Sequence, residues 1–261
     1  MPDSSLLLTS LAIVLTYTSC VWVASLVLKD SGIMDIFWGP GFVLVVLLAG
    51  WMDSGFAPRV TLVQALVGIW GIRLALHIGV RNAGQPEDAR YAKWRAEAGR
   101  AWWWRSWFKV FLLQGVILWS VSWPLQAAVT AAEPAQLTVF DWIGAAVFVV
   151  GFLFESIADW QLLQFKKDPS NKGKVFDRGL WHYTRHPNYF GESVIWIGVG
   201  IWAIGLPGAW PTLIGPVLMI WLLLKVSGVA MLDRHMKASK PAYADYIRRT
   251  SAFLPRPPRE A

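Results

Sequence analysis

Residues 179–192 read GLWHYTRHPNYFGE and bring Arg185, His186, Asn188 and Tyr189 within five positions, with Glu192 just beyond. A guanidinium offers a planar fork of N–H donors to phosphate or carboxylate, an amide both donates and accepts, and a carboxylate only accepts. Together they suit a polar, charged ligand. Other groups repeat the theme. Arg73, His77 and Arg81 recur every four residues and share a helical face with Trp70. That cationic stripe suits an anionic ligand; snorkelling arginines packed between helices would show the same spacing. Glu155 and Asp159 are also four apart and run into a basic loop with Lys166, Lys167, Lys172, Lys174 and Arg178, suited to phosphates, while Gln161 and Asn171 could read an amide or a ribose. Asp35 lies in SGIMDIFWGPGF, where Gly-Pro-Gly predicts a broken helix, although Asp35 equally reads as an N-cap. Asp233 heads DRHMKASKPAYADYIRRT, whose Tyr243 and Tyr246 fall on one helical face.

These groups sit in a chain that is otherwise apolar. Of 261 residues, 55% are hydrophobic, more than a soluble domain needs. The apolar residues come in runs of about 20, the length of a bilayer-spanning helix. Seven are expected, near 6–28, 33–51, 60–80, 107–130, 139–163, 190–204 and 210–232. The 18 Trp, many near span ends, fit interfacial anchors. The fold class is an all-α polytopic membrane protein. Sorting alternate loops to opposite sides puts Lys29, seven Lys/Arg of 81–109, six of 164–189 and seven of 233–259 on one side, and Arg59 alone on the other. This positive-inside pattern places the N-terminus outside and the C-terminus in the cytosol, and accounts for the net charge of +7 without nucleic acid. Ionisable residues within spans are costly and point to function. The acids and aromatics of spans two, five, six and seven fall at cytosolic ends, which describes one pocket. YAKWRAEAGRAWW reads equally as an interfacial helix or a solvated loop helix, and the Pro-rich LPRPPREA as a frayed tail.

Common soluble signatures are lacking. There is no P-loop and no HExxH, and GVGIWA at 198–203 lies inside a span with no strand before it. His77, His182, His186 and His235 lack metal spacing, no Ser-His-Asp arrangement is evident, and Cys20 is the only cysteine. No metal is expected.

Gly179, Trp181, Tyr183, Arg185, His186, Pro187, Asn188, Tyr189, Gly191 and Glu192, followed by Asp233 and YADYIRRTSAFLP, resemble a C-terminal core shared by two membrane enzyme groups. These are the sterol and steroid reductases, and the isoprenylcysteine and phospholipid methyltransferases. The likeness covers about residues 155–255. Methyltransferases of this kind carry paired Glu after the last span and bind S-adenosylmethionine; MLDRHMKASK has no such pair. Asn before Tyr and a loop like FKKDPSNKGK mark the reductase branch, which binds NADPH. With MDIFWG and HIGVRN, the N-terminal half is similar to the bacterial side of the steroid 5-alpha-reductase (3-oxo-5-alpha-steroid 4-dehydrogenase) family.

The resemblance implies one membrane domain in a bacterial inner membrane, with substrate-side helices in 1–130 and an NADPH core in 139–255 facing the cytosol. The reaction would reduce the carbon–carbon double bond of a Δ4-3-oxo steroid or similar enone lipid, a lipophilic substrate entering from the membrane. Phosphates would meet Lys166, Lys174, Arg178 and Arg185. Asp159, Asn188, Glu192, Asp233 and Tyr246 would hold ribose and nicotinamide, and Arg73, Gln161, Asn171, Trp181, Tyr183, His186, Tyr189, Lys237 and Tyr243 would complete the cofactor site. Trp38 and Trp70 would line the substrate. Mammalian members of the family place a Gln-Glu pair and a Tyr at the steroid carbonyl. Here Asp35, after Met34, stands for the Glu, and no Tyr falls near Trp70–His77. Asp35 is therefore the expected proton donor, provided burial keeps it protonated, with His77 the second candidate. The alternative is an S-adenosylmethionine-dependent methyltransferase of a lipid or prenyl-cysteine. A lipid carrier fits less well, because a transporter favours mid-membrane polar sites and internal repeats.

Overall fold

The computed structural model describes residues 2–259 apart from 227, 230–231, 234–235 and 237–242. The described residues are helical, joined by turns, with one isolated parallel bridge between Thr184 and Ser251. Two compact units emerge, one of Met1–Asp141 with Trp202–Gly215, the other of Trp142–Ile201 with Pro216–Ala261.

In the first unit, α1 (Ser4–Leu28) starts where the Asp3 carboxylate accepts the Leu6 N–H at 2.7 Å. It buries one stripe of small and apolar residues, Leu6, Ser10, Val14, Thr18, Val21 and Ser25, and leaves the rest of its apolar surface exposed. That is the pattern of a helix that meets neighbours on one side and lipid on the other. α2 (Ile33–Met52) and α3 (Ala57–Asn82) are closely packed. A Cβ on Gly39 would come within 2.5 Å of the Gly71 carbonyl oxygen, and one on Gly71 within 2.8 Å of that of Gly39. Only glycine lets the two backbones approach this far.

Two expectations about α2 are corrected. Helix α2 continues through Pro40, so Gly-Pro-Gly does not break it. Pro40 removes one backbone donor, and nearby the Phe37 carbonyl accepts the Tyr17 hydroxyl at 2.7 Å from α1. Nor is Asp35 the cap: the N-cap is Gly32, which makes no side-chain bond, and Asp35 lies inside the first turn.

Next come α4 (Ala89–Ala98), α5 (Trp102–Ser106), a π-helical stretch (Trp107–Leu112), α6 (Leu113–Val121) and α7 (Trp123–Thr130). The run expected as one span over 107–130 is bent by 44° between α6 and α7, where Pro124 cannot continue the α6 ladder. Tryptophan has two roles. Trp51, Trp103, Trp104, Trp142 and Trp160 are exposed, as anchors would be. Others tie helices together: Trp22 donates to the Trp103 carbonyl, Trp107 to Ser19 Oγ, and Trp119 to the Leu7 carbonyl.

In this unit Arg59 is fully buried. Its Nε donates to Asp141 Oδ1 at 2.7 Å, and its other nitrogens reach the carbonyls of Ala131, Pro134 and Gln136. The charge assigned to a solvated loop is thus a clamp on the segment that leads into α8 (Val139–Lys167).

The second unit holds most of α8, then α9 (Leu180–Tyr183), most of α10 (Pro187–Ile204), most of α11 (Ile214–Trp221) and α12 (Tyr243–Arg249). α8 and α10 meet along glycines seven apart on each helix. A Cβ on Gly191 would come within 2.5 Å of the Glu155 nitrogen, one on Gly151 within 2.6 Å of the Gly191 oxygen, and one on Gly198 within 2.7 Å of the Gly144 oxygen. Such seams let backbones touch where lipid gives no hydrophobic drive. Gly191→Ala is expected to destabilise the protein by about 1–3 kcal/mol, because backbone must move. A thermal unfolding midpoint no lower than wild type would refute this.

By length and composition, four helices among the described residues can cross a membrane: Ser4–Leu28, Ile33–Met52, Ala57–Asn82 and Val139–Lys167. The bent pair Ala89–Val121 and Trp123–Thr130 makes five if it counts as one span. The sixth and seventh expected runs correspond to Pro187–Ile204 and to the shorter apolar stretch Trp210–Val226.

Candidate functional site

In the second unit the GLWHYTRHPNYFGE stretch folds as a turn, the short α9, an extended link and the start of α10. Gly179 opens it with φ +59°, and a Cβ there would strike the Gln161 side chain. The Gln161 Oε1 accepts the Leu180 N–H at 3.0 Å. Trp181 is buried and donates its indole N–H to the Ala158 carbonyl on α8 at 3.0 Å.

Arg185 and His186 follow, both buried. The Arg185 fork grips Asp233, Nη2 to Oδ2 at 2.5 Å and Nε to Oδ1 at 3.2 Å, while Nη1 donates to the Thr250 carbonyl at 2.6 Å. His186 Nε2 lies 3.0 Å from Asp233 Oδ1, and the Tyr243 hydroxyl donates to the same oxygen at 2.7 Å. Tyr246 donates to the Trp181 carbonyl. Asp233 thus gathers an arginine, a histidine and a tyrosine. Burial opposes its charge, but these partners outweigh burial and hold the carboxyl well below the usual range. Burial, reinforced by Asp233, pushes the Tyr243 phenol up. Burial also raises Tyr246.

The tail described by the sequence as frayed is tied to this turn through Arg259. Arg185 N donates to the Ser251 carbonyl at 2.9 Å, Thr184 Oγ1 to that of Phe253 at 2.8 Å, and Arg256 N reaches the Tyr183 carbonyl at 3.0 Å. Arg259 N reaches the Arg249 carbonyl at 2.9 Å. In the extended link after α9 the Thr184 N–H still reaches the Leu180 carbonyl, but the Arg185 N–H has no helical partner, and the tail supplies one.

The remaining expected residues of this unit fall in two places. Asn188 Nδ2 donates to Asp159 Oδ1 at 3.1 Å, which joins α10 to α8; Glu155 and Asp159 are both buried. Tyr189 stacks on His186 with ring centroids 5.8 Å apart. Glu192 lies in the second turn of α10 and Lys166 at the end of α8. Gln161, Asn171, Lys174 and Arg178 line a half-open cleft of about 540 Å³, together with the stacked pair Phe165 and Phe176. Two acids also line it: Asp168 caps the Ser170 N–H, and Asp177 reaches Arg249. Lys237 lies outside the described residues.

In the first unit, Asp35 takes two partners that sequence reasoning missed. Its Oδ1 accepts the Tyr91 hydroxyl at 3.0 Å, and its Oδ2 lies 3.4 Å from Arg90 Nη2. Gln114 Nε2 donates to the Tyr91 oxygen at 3.3 Å. Tyr91 is buried in an apolar cluster with Ile33, Met34, Trp102 and Phe111, against which Trp38 packs. No tyrosine falls near Trp70–His77, and the tyrosine that meets Asp35 comes from α4. Trp38 and Trp70 are linked through Phe42, which meets Trp38 edge to face at a centroid distance of 5.4 Å and Trp70 in a tilted contact at 5.7 Å. Arg73 and His77 are half-buried on α3, and Arg81 is exposed. Among the described residues no group of three or more His, Cys, Asp or Glu is placed to hold a metal ion.

The chain is 25% identical to an uncharacterized protein of Schizosaccharomyces pombe over 90% of its length and 76% of the relative's. It is 35% identical to a probable O-methyltransferase of Ustilaginoidea virens over 30% of this chain and 25% of that one. A steroid 5-alpha-reductase of Arabidopsis thaliana is 38% identical over 24% of this chain and 22% of its own. No solved structure gives a significant match. The family described as "Protein of unknown function (DUF1295)" matches residues 21–250, and the chain belongs to it.

Proposed function

We propose that this protein is an NADPH-dependent membrane reductase of the carbon–carbon double bond in an enone lipid, such as a Δ4-3-oxo steroid. In this reading the chain crosses a bacterial inner membrane seven times, with its N-terminus outside and the cofactor side in the cytosol. The observation that carries the proposal is the Tyr91 hydroxyl held on Asp35 inside an aromatic, apolar cluster. Enone reduction needs a hydrogen-bond donor where negative charge develops on the ketone oxygen, in a site that excludes water. A tyrosine hydroxyl becomes such a donor when its one proton turns from Asp35, which keeps Arg90 beside it, to the ketone oxygen. Asp35 and Gln114 fix its position, and Arg90 adds positive charge beside Asp35. Trp38 would offer flat apolar surface to a lipophilic substrate, with Trp70 buried behind it beyond Phe42, and His77 on α3 is a further donor candidate.

The cleft residues fit a nucleotide: cations for phosphate, amides for sugar or base, and an aromatic pair for stacking. Lys166, Lys174 and Arg178 would hold phosphates, with Gln161 and Asn171 on the sugar and base. Asp159, Asn188, Tyr189 and Glu192 would bind nearer the reacting end. When bound, NADPH supplies the hydride. Arg185, His186, Asp233, Tyr243 and Tyr246 act by fixing the turn that carries Asn188. The partial likeness to an O-methyltransferase keeps an S-adenosylmethionine enzyme as the second reading.

The test is mass spectrometry of progesterone and of simpler enone lipids after incubation with detergent-purified protein and NADPH. A gain of two hydrogens that requires NADPH is expected. Tyr91→Phe should lower turnover by about 10²-fold, the scale of losing one such donor, while NADPH binding stays unchanged. Binding of S-adenosylmethionine but not NADPH would overturn the reading in favour of methyl transfer.

A further inference from the structure

The stretch from α4 to the π-helical turn carries seven Lys/Arg and three acids between residues 81 and 109. Each acid has a cation of its own. Glu87 pairs with Arg95 at 2.8 Å, Asp88 with Arg90 at 2.9 Å, and Glu97 with Lys93 at 3.9 Å. Arg100, Arg105 and Lys109 have no acid partner among the described residues. Arg105 and Lys109 are one helical turn apart, and both lie on rings instead. The Arg105 guanidinium is 5.4 Å from the Trp104 centroid, and Lys109 Nζ is 4.0 Å from that of Trp94. Beside them Trp103, Trp104 and Phe108 are exposed, the last two in edge-to-face contact at 6.2 Å. Directly after Lys109 the chain runs from residue 110 to 132 without a charge.

We infer that Arg100, Arg105 and Lys109, with Trp104 and Phe108, form a binding surface for the phosphate headgroup of an anionic phospholipid. Three cations without acid partners within ten residues call for an anion, since unneutralised like charges close together repel. The exposed indole and phenyl rings call for a partner that is apolar at one end, because rings of this kind settle at headgroup depth. The uncharged run that follows puts the cations at the end of an apolar helix, where headgroups lie. A soluble acidic peptide or nucleic acid would satisfy the cations and leave the rings in water. A zwitterionic lipid would cover the rings and leave the net charge unmatched. The surface lies on the same segment as Tyr91, yet the inference does not depend on any reaction.

The experiment is native mass spectrometry of the full chain in detergent with equimolar phosphatidylglycerol and phosphatidylcholine. Wild type should retain phosphatidylglycerol in preference, by about fivefold for each cation that engages a headgroup. The preference should shrink as salt rises, because exposed charges are screened. Arg100→Gln/Arg105→Gln/Lys109→Gln should retain both lipids equally, while Arg248→Gln, at an exposed arginine paired with Asp245, keeps the preference. Single Gln variants at 105 and 109, each expected to remove part of it, serve if the triple variant does not fold. Equal retention by wild type, or an undiminished preference in the triple variant, would overturn the inference. Displacement of phosphatidylglycerol by millimolar inorganic phosphate would also overturn it, by marking a site for a free anion rather than a lipid.

Discussion

Asp233→Ala is expected to free the tail from the Arg-His-Pro turn and to lower stability by about 3 kcal/mol, roughly a 150-fold shift in the unfolding equilibrium. The size follows from what is left behind. Arg185, His186 and Tyr243 all converge on this carboxylate, and all three are buried. Removing it strands a guanidinium in low dielectric, which costs more than the pair itself contributes. Limited proteolysis should then cut within residues 250–259 at protein concentrations and times that leave wild type intact. The pH dependence gives a second reading. The Asp233 carboxyl lies below its ordinary value in the folded state, so its contribution is fully present above the unfolded value of about 3.9. It is lost only as pH falls through the lower folded value. Wild type should therefore hold its midpoint from neutral pH down to about pH 4 as far as this group is concerned, and decline in stronger acid. Asp233→Asn should start lower and lack that part of the acid decline. Identical acid limbs in the two proteins would show that Asp233 does not organise the tail.

Arg59→Met should cost about 3–5 kcal/mol, because it leaves Asp141 buried with an uncompensated charge. It also leaves the carbonyls of Ala131, Pro134 and Gln136 without their guanidinium partner. Asp141 would keep only the Thr138 N–H and hydroxyl, at 2.7 and 2.9 Å. Asp141→Leu should be similarly harmful, since it strands the arginine instead. The double variant Arg59→Met/Asp141→Leu removes both charges and should be less damaging than the two singles added, by about 0.5–3 kcal/mol. Thermal unfolding of the four proteins in one detergent measures this coupling. Strict additivity would mean that the two residues do not act as a pair.

Local patterns in the chain were readable and distant pairings were not. Apolar runs of about 20 residues mark α1, α2, α3 and α8, since helix formation and lipid exposure leave their period in the sequence. The turn at 179–192 stood out because charges beside apolar runs demand partners. Its internal arrangement did not, since Asp233 lies 48 residues beyond Arg185. Tyr91 meets Asp35 across 56 residues, and no spacing rule encodes such a contact. The signal available was the single tyrosine of YAKWRAEAGRAWW, next to an arginine and followed by tryptophans. Arg59 was read from charge bookkeeping as a loop residue. Its isolation on a side otherwise free of cations was the clue that it had a different task, and Asp141 in the first turn of α8 was its partner. Pro40 and the tail misled for one reason: proline removes a donor, but the surrounding structure decides whether the chain then bends, continues or docks.

The tie between the 183–185 link and residues 251–256 also orders events during synthesis. Thr184 leaves the ribosome 67 residues ahead of Ser251, its bridge partner. At typical elongation rates of about 5–20 residues per second, the link waits roughly 3–13 s for the groups that complete it. The Arg185 N–H lacks its partner for nearly all of that interval, while the Arg185 guanidinium waits 48 residues for Asp233 and 65 for the Thr250 carbonyl. A nascent chain stalled before residue 250 would therefore present a fully made Arg-His-Pro-Asn-Tyr sequence with no fixed shape. Quality-control factors that survey half-made membrane proteins would meet this protein's polar turn open until its last stretch emerges.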